Sequence, residues 1–589
     1  MPPADSAKSL KPQEIGYRRY IFGSLVLISW FACVSLAASV VASGQWSILL
    51  GAILFLFACQ LPWPIIGFWN ATIGFLITQF SNDPLALCSP PAKLKSETRA
   101  STTTAVLMCI RNEDTQTVFA RLNALIGELV ATGQGSSFSV YILSDTSVPS
   151  IGEAEEVATA ALKADWGQQI AGITYRRRAI NTGFKAGNIR DFCLTFGGSH
   201  DYALVLDADS FMSGDKIMQC VSAMDENPTL GILQCLTVGL PSLSPLARLF
   251  QFGMRLGMRA YTLGSSWWQA DCGPYWGHNA IIRLQPFTAY CDLPQLPGRP
   301  PFGGDILSHD QIEAVLMRRA GFEVRVIPLE GGSYEENPPT TIEFIRRDLR
   351  WCLGNLQYFA LLGMPGLKVT SRVQLCLAIW MFLSAACNVG FWSLLLLQSL
   401  LHPTGDWIER GPAFSVIGLM IVLTLVQKCA SALAVLLNAV ELRTWGGPLR
   451  FLTGFVMELL FSIILTPIMQ LSETAAIVML CFGQTIGWQA QNRSEHAIPW
   501  WEAFVRFWPH TVVGLVVGYA LSTISPMAAV WSLPVYGGLL LAIPLSVVTS
   551  SPKLGAWMAG AKALAIPEDI DPPDEIKPLQ LPALAIAVT

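Results

Sequence analysis

The stretch Leu204–Met212 reads LVLDADSFM, an apolar run that ends in two aspartates separated by one alanine. Short apolar runs bounded by polar residues are the pattern of buried strands. Three more precede it, TAVLMCI (104–110), FSVYILS (138–144) and GITYRRR (172–178), with YALVLDAD (202–209) as the fourth. Between them lie helix-length periodic stretches around 115–130, at 151–165 and at 186–196. Strands alternating with helices predict βαβ units on a mostly parallel sheet, whose ligands sit beyond the carboxyl ends of the strands. Polar residues fall at those ends: Glu113 after the first strand, Asp145 after the second, Lys185 after the third, Asp207 and Asp209 after the fourth. Two hard oxygen ligands in D-x-D spacing can set one carboxylate on a divalent cation and the other on the sugar or ribose of a nucleotide donor. A bare D-x-D also serves as a turn or helix cap; its position after LVL is what favours the metal.

Around this region the chain is greasy. Of 589 residues, 52% are hydrophobic and 14% charged, with a mean hydropathy of +0.45, which predicts a membrane protein. The charges concentrate in 82–372, long enough for a soluble domain. A net charge of −4 and the lack of a Lys/Arg block exclude a nucleic-acid-binding surface. The 14 cysteines include no CxxC pair and the six histidines no metal-ligand spacing, so neither a disulfide framework nor a zinc site is expected.

Crossing a bilayer takes roughly 20 apolar residues. The segments 20–43, 47–77, 373–400, 413–439, 451–467, 470–486, 511–529 and 531–549 qualify, giving about eight spans; the fifth and sixth divide one long apolar stretch at Pro467. The alternative there is one tilted span with a re-entrant or interfacial stretch. Lys8, Lys11, Arg18 and Arg19 precede the first span and Lys93, Lys95 and Arg99 follow the second, so both flanks are expected in the cytoplasm. The expected order is a cytosolic tail (1–19), two transmembrane helices (20–81), a cytosolic domain (82–372), about six helices with a gating or interfacial segment near 487–510 (373–550), and a cytosolic tail (551–589). No cleaved signal peptide is expected.

Short motifs follow one another in the order IRNED (110–114), LSD (143–145), KAGN (185–188), LDAD (206–209), GDILSHD (304–310), EENPPT (335–340) and RRDLRW (346–351). In this order they resemble the processive inverting glycosyltransferases of the GT-A fold, among them cellulose and hyaluronan synthases. The spellings YRRR (175–178), YWGHNAIIR (275–283), GGSYEENPP (331–339) and RRDLRWCLGN (346–355) are most similar to the glucosyltransferases of osmoregulated periplasmic glucan synthesis. The resemblance runs from Arg18 to about residue 550 and implies an α/β GT-A domain inserted between transmembrane helices.

It further implies that Glu113 and Asp145 hold the uridine end of UDP-glucose, that Lys185 lies near the donor phosphates, and that Asp207 and Asp209 contact the donor and its Mg²⁺ (or Mn²⁺). Asp310 would be the general base. Arg350 and Trp351 match the family's QxxRW, the cation facing the diphosphate and the indole carrying the acceptor sugar. Arg347 replaces the expected Gln and His309 the expected Glu. Cys272, Gly273, Pro274 and the stretch Trp276, Gly277, His278 and Asn279 would build the acceptor wall, and Arg493 resembles a gating-loop cation. The stretch Tyr175 to Arg178 reads as a solvated strand end or a phosphate contact, and Trp267 and Trp268 as interface anchors rather than sugar platforms.

What the resemblance implies is a multi-pass enzyme of a bacterial inner membrane, its catalytic domain cytoplasmic, polymerising glucose into a β-linked glucan for the periplasm. Its partners would be UDP-glucose, a glucan acceptor, the lipid bilayer and acyl carrier protein. With about 20 residues before the first span, activities that relatives place in a longer N-terminal extension are expected to be absent. Lys428 and Glu458, costly in lipid, either face a translocation path where aromatics such as Trp392 stack sugars, or pair to tie two spans. The rival readings are a cellulose, chitin or hyaluronan synthase, and a transporter or scaffold that senses nucleotides without turning them over.

Overall fold

The computed structural model describes residues 10–92, 102–484 and 493–579; Lys8, Lys93, Lys95 and Arg99 lie outside them. The strands read from sequence form as β1 (Thr104–Ile110), β2 (Phe138–Ser144), β3 (Gly172–Arg177) and β4 (Tyr202–Asp207), parallel, in the order β3-β2-β1-β4. Then come β5 (Phe211–Met212), β6 (Leu230–Cys235), β7 (Val238–Gly239), β8 (Ala280–Arg283), β9 (Glu323–Ile327) and β10 (Ser333–Glu335). The main sheet has seven strands, β3-β2-β1-β4-β8-β6-β9, with β8 antiparallel to both neighbours. β5, β10 and β7 make a small sheet of their own. Val106, Met108, Leu204 and Leu206 pack into one core cluster, while Ala105, Leu107, Ala203 and Val205 pack into another. A strand covered on both faces has no polar alternation, which is why these read as unbroken apolar runs.

Among the described residues, six helices are long and apolar enough to cross a membrane: Pro12–Ala38, Ile48–Phe80, Val369–Leu401, Arg410–Leu437, Pro448–Cys481 and Trp500–Ile524. The expected count of about eight is not confirmed. The stretches 451–467 and 470–486 belong to one helix that continues through Pro467. The segment 531–549 is built of consecutive short helices that pack back along Trp500–Ile524, none of them by itself as long as those six. Of the expected gating segment, 485–492 lies outside the described residues, 493–499 carries no regular element, and 500–510 is helical.

The helix Pro448–Cys481 packs against the base of the globular part along its length. Phe451 meets Phe252 at 6.2 Å, Glu458 lies over Gly253, and Phe461 and Leu465 join Leu246. Ile468 and Ala476 cluster with Ile342, Ile345 and Leu349, and Leu480 with Cys352 and Leu353. The helices it follows are Pro245–Gln269 and Thr341–Leu356, both apolar on one side only.

The helix Pro245–Gln269 also joins the globular part to the membrane helices. Gly264 and Gly74 let it cross Ile48–Phe80 backbone to backbone; a Cβ on either would fall within 2 Å of a carbonyl oxygen. At its end Arg18 donates to the Trp267 carbonyl (3.4 Å) and Arg19 to that of Gln269 (2.7 Å), cations where the helix dipole favours them. Trp268 stacks on Phe22 at 4.5 Å, a packing role. The turns 39–47 and 402–409 meet through Val41 and Ile408. Read from sequence as a tail, 552–579 folds onto the globular part: Leu564, Ile566 and Ile576 are buried in its core, Arg248 pairs with Asp569, and Tyr334 donates to Glu575.

Lys428 pairs with Glu458, and its ammonium also donates to Ser462 at 2.8 Å. That geometry ties Arg410–Leu437 to Pro448–Cys481, the second of the two sequence readings. Trp392 is exposed and rests edge-on against Phe391.

Candidate active site

β4 leaves the core at Asp207, and a tight turn closed by Ser210 N–H donating to the Asp207 carbonyl (2.9 Å) presents Asp207 and Asp209 on the rim. Asp207 is ion-paired with Lys185, on the first turn of the helix Phe184–Thr195. Burial alone would raise the Asp207 pKa, but Lys185 and His278 draw it down to about 2. The Lys185 ammonium also donates to the Gly277 carbonyl at 2.7 Å. Gly277 has φ +81°, and a Cβ there would lie 3.3 Å from that of Asp310; a bare backbone is what lets the turn rest on Asp310. Asp310 opens the helix Asp310–Arg319, a favourable end for a negative charge. Lys185 feels both Asp207 and Asp310.

On the other side of the D-x-D turn, Asp209 pairs with Arg493 at 2.6 Å. Glu113, just past β1, accepts from the Arg111 N–H and lies near Arg493 and Asp209; burial pushes its pKa up to about 7. Asp145 is buried, gripped by both arms of Arg178 at 2.7 Å and by Asn188 at 3.1 Å. Neither reading of YRRR stands for Arg178, which is the clamp on Asp145. The charges of Arg493, Glu343, Arg347 and Arg346 all act on Arg350, which places it near Arg493, and Trp351 is half exposed. Asp207, Asp209, Lys185, Asp310, Glu113, Arg493 and Arg350 are therefore neighbours above one sheet edge.

The acceptor-wall residues divide. His278 sits between Ser210 (3.4 Å) and Glu335 (3.4 Å), and Trp276 donates its N–H to Gln234 at 2.9 Å. Asn279 is fully buried and donates to Ser333 (3.0 Å) and the Tyr334 carbonyl (3.1 Å), holding β10 in place. Cys272 is 1% exposed and bridges to Val324, with its carbonyl held by Gln374. Asn279 and Cys272 are thus scaffold, a correction: nearness to a motif in sequence does not tell which way a side chain points.

Sequence reasoning passed over Glu335 and Glu336 as site groups. Glu335 lies near His278, Asp209 and Arg347, and burial raises its pKa. Glu336 pairs with Arg121, which also donates to the Ala208 carbonyl at 2.9 Å and so braces the D-x-D turn. The doubled acid in EENPP was the available signal; Arg121 carried none.

No three Asp, Glu, His or Cys side chains among the described residues converge to hold a metal by themselves. The donor set, two rim carboxylates each already matched by a cation, suits a hard divalent ion brought in with substrate phosphates. A cavity of about 320 Å³ lies elsewhere, behind the helix that carries Lys185 and lined by Arg190, Cys193 and Cys291.

Residues 202–489 match the model of the glycosyl transferase family group 2. A glucans biosynthesis glucosyltransferase H of Xanthomonas campestris pv. campestris is 35% identical over 581 residues, covering 95% of this chain and 89% of that protein. Proteins of the same name from Vibrio cholerae serotype O1 (97% of this chain, 80% of that one) and Xylella fastidiosa (95% and 90%) are each 34% identical. Among solved structures, the mannosyltransferase PcManGT from Pyrobaculum calidifontis, in complex with GDP-Man and Mn²⁺, aligns over 66% of this chain and 99% of its own. Its TM-score is 0.42 and its identity 14%.

Proposed function

The chain belongs to the glucans biosynthesis glucosyltransferase H family, and on that premise we propose that it builds a β-linked glucan from UDP-glucose with inversion at the anomeric carbon. The single observation that carries this is the linked cluster Asp207, Lys185, Gly277 and Asp310, with Asp209 and Arg493 beside it.

Glu113 and the clamped Asp145 bound the place for the nucleoside, and Lys185, Arg350 and Arg493 supply positive charge for the diphosphate. Asp207 and Asp209 would hold Mg²⁺ or Mn²⁺. Bound there, the ion would neutralise charge on the departing diphosphate. Asp310 takes the proton of an acceptor hydroxyl; its oxygen bonds to the anomeric carbon as that carbon's bond to UDP breaks, and UDP leaves. Inversion needs only this one in-line base, so positioning and charge do the catalysis. Trp351 offers its half-exposed face to the acceptor sugar. In this reading the catalytic domain faces the cytoplasm of a bacterial inner membrane, the glucan crosses among the helices, and acyl carrier protein is a partner.

The test is incubation of the purified protein, reconstituted in bilayers, with UDP-glucose and Mg²⁺, followed by UDP assay and linkage analysis of the polymer. A β-linked glucan with matching UDP release is expected. Release only from another UDP-sugar, or none at all, refutes the reading.

A further inference from the structure

Arg347 stands where the QxxRW motif of the processive glycosyltransferases has Gln. On the helix Thr341–Leu356, Phe344, Arg347 and Trp351 fall on one stripe, three and four residues apart. The Arg347 guanidinium lies 4.9 Å from the centre of the Trp351 ring and 5.7 Å from that of Phe344. Phe250, from the helix Pro245–Gln269, closes the third side at 5.9 Å and meets Phe344 edge to face at 4.9 Å. The cation is thus enclosed by aromatic rings, one of them the half-exposed indole. The charges of Glu335, Asp209 and Asp348 also act on it.

A planar cation between two rings fixes the angle of both, which a Gln side chain or a lysine ammonium does less well. We propose that Arg347 is the positioning residue of the acceptor platform: it holds the Trp351 ring at the orientation on which the terminal sugar of the glucan is registered for attack. This rests on the glucosyltransferase reading above and names the residue that sets its acceptor geometry. Arg347 acts through Trp351 and touches no reacting atom.

The test uses the full chain in bilayers with UDP-glucose as donor and a soluble β-linked gluco-oligosaccharide as acceptor, in the wild type, Arg347→Lys and Arg347→Gln. The acceptor KM is expected to rise about tenfold in Arg347→Gln and by a smaller factor in Arg347→Lys. The KM for UDP-glucose, kcat at saturating acceptor and the melting temperature stay near wild type. An unchanged acceptor KM in Arg347→Gln overturns the assignment, as does a donor KM that rises with the acceptor's or a fall in melting temperature that carries both. Failure of the underlying reading looks different: the wild type itself then transfers nothing from UDP-glucose.

Discussion

Lys185 bridges the D-x-D turn to the turn that rests on Asp310, so one cation links the two groups of acids. If Asp310 is the base, as proposed, replacing it by Asn removes the proton acceptor and leaves the side chain's shape. Glucose transfer should fall by about 10²- to 10⁴-fold with UDP affinity unchanged; equal losses in both would assign Asp310 to donor binding instead. On the proposed reading, Glu113 gives binding a pH dependence. Its folded pKa, about 7, lies above the ordinary 4.5, so stability present at low pH is lost as pH rises between those values. If Glu113 accepts hydrogen bonds from the nucleotide, as proposed, its ionised carboxylate is the stronger acceptor. UDP affinity should therefore strengthen through about pH 7 in the wild type, relative to Glu113→Gln, in which that component is missing. Parallel profiles would remove Glu113 from the site. The acids were legible because strand ends are where a chain leaves the core and must turn polar. Arg178 on Asp145 and Arg121 on Glu336 were not, since each pairing is made by residues far apart in the chain.

At the scale of elements, the strands were legible from apolar runs, while the long helix Pro448–Cys481 was misread at Pro467. A missing N–H suggests a break, yet in apolar surroundings backbone groups must bond within their own segment, so a kinked helix outlasts a broken one. Hydropathy also cannot tell a helix that crosses from one that lies along a surface. Both ends of this one are tied to the globular part: Trp445 packs on Phe252 at 5.1 Å, and beyond its far end Arg493 pairs with Asp209. The helix should therefore return the chain to the side it came from. With the exposed Cys376, Cys429 and Cys481 changed to Ser, Arg443→Cys and Ala497→Cys should react with an impermeant maleimide from the same face of sealed vesicles. Thr404→Cys, in the turn that meets residues 39–47, should react from the opposite face. Labelling of positions 443 and 497 from opposite faces would make the helix a crossing one.

At the scale of the molecule, the segment 552–579 completes the globular part rather than trailing from it. Arg248, 2% exposed, holds Asp569 at 3.1 Å and the Ala563 carbonyl at 3.0 Å. Arg248→Ala takes the cation away from that acid and carbonyl and should cost about 3 kcal/mol, read as a lowered melting temperature; an unchanged transition would show that the segment is only resting there. Nothing in the sequence marked this, because an acidic, proline-rich end has the composition of a tail until its partners are known. If the acids and cations above the sheet edge hold a nucleoside diphosphate with a divalent ion, as proposed, UDP binding depends on that ion. Titration of UDP into the purified protein by calorimetry, with Mg²⁺ and with chelator, tests it most directly. Binding that needs Mg²⁺ and is lost in Asp209→Asn is the predicted result; UDP affinity indifferent to both the ion and Asp209 would contradict it.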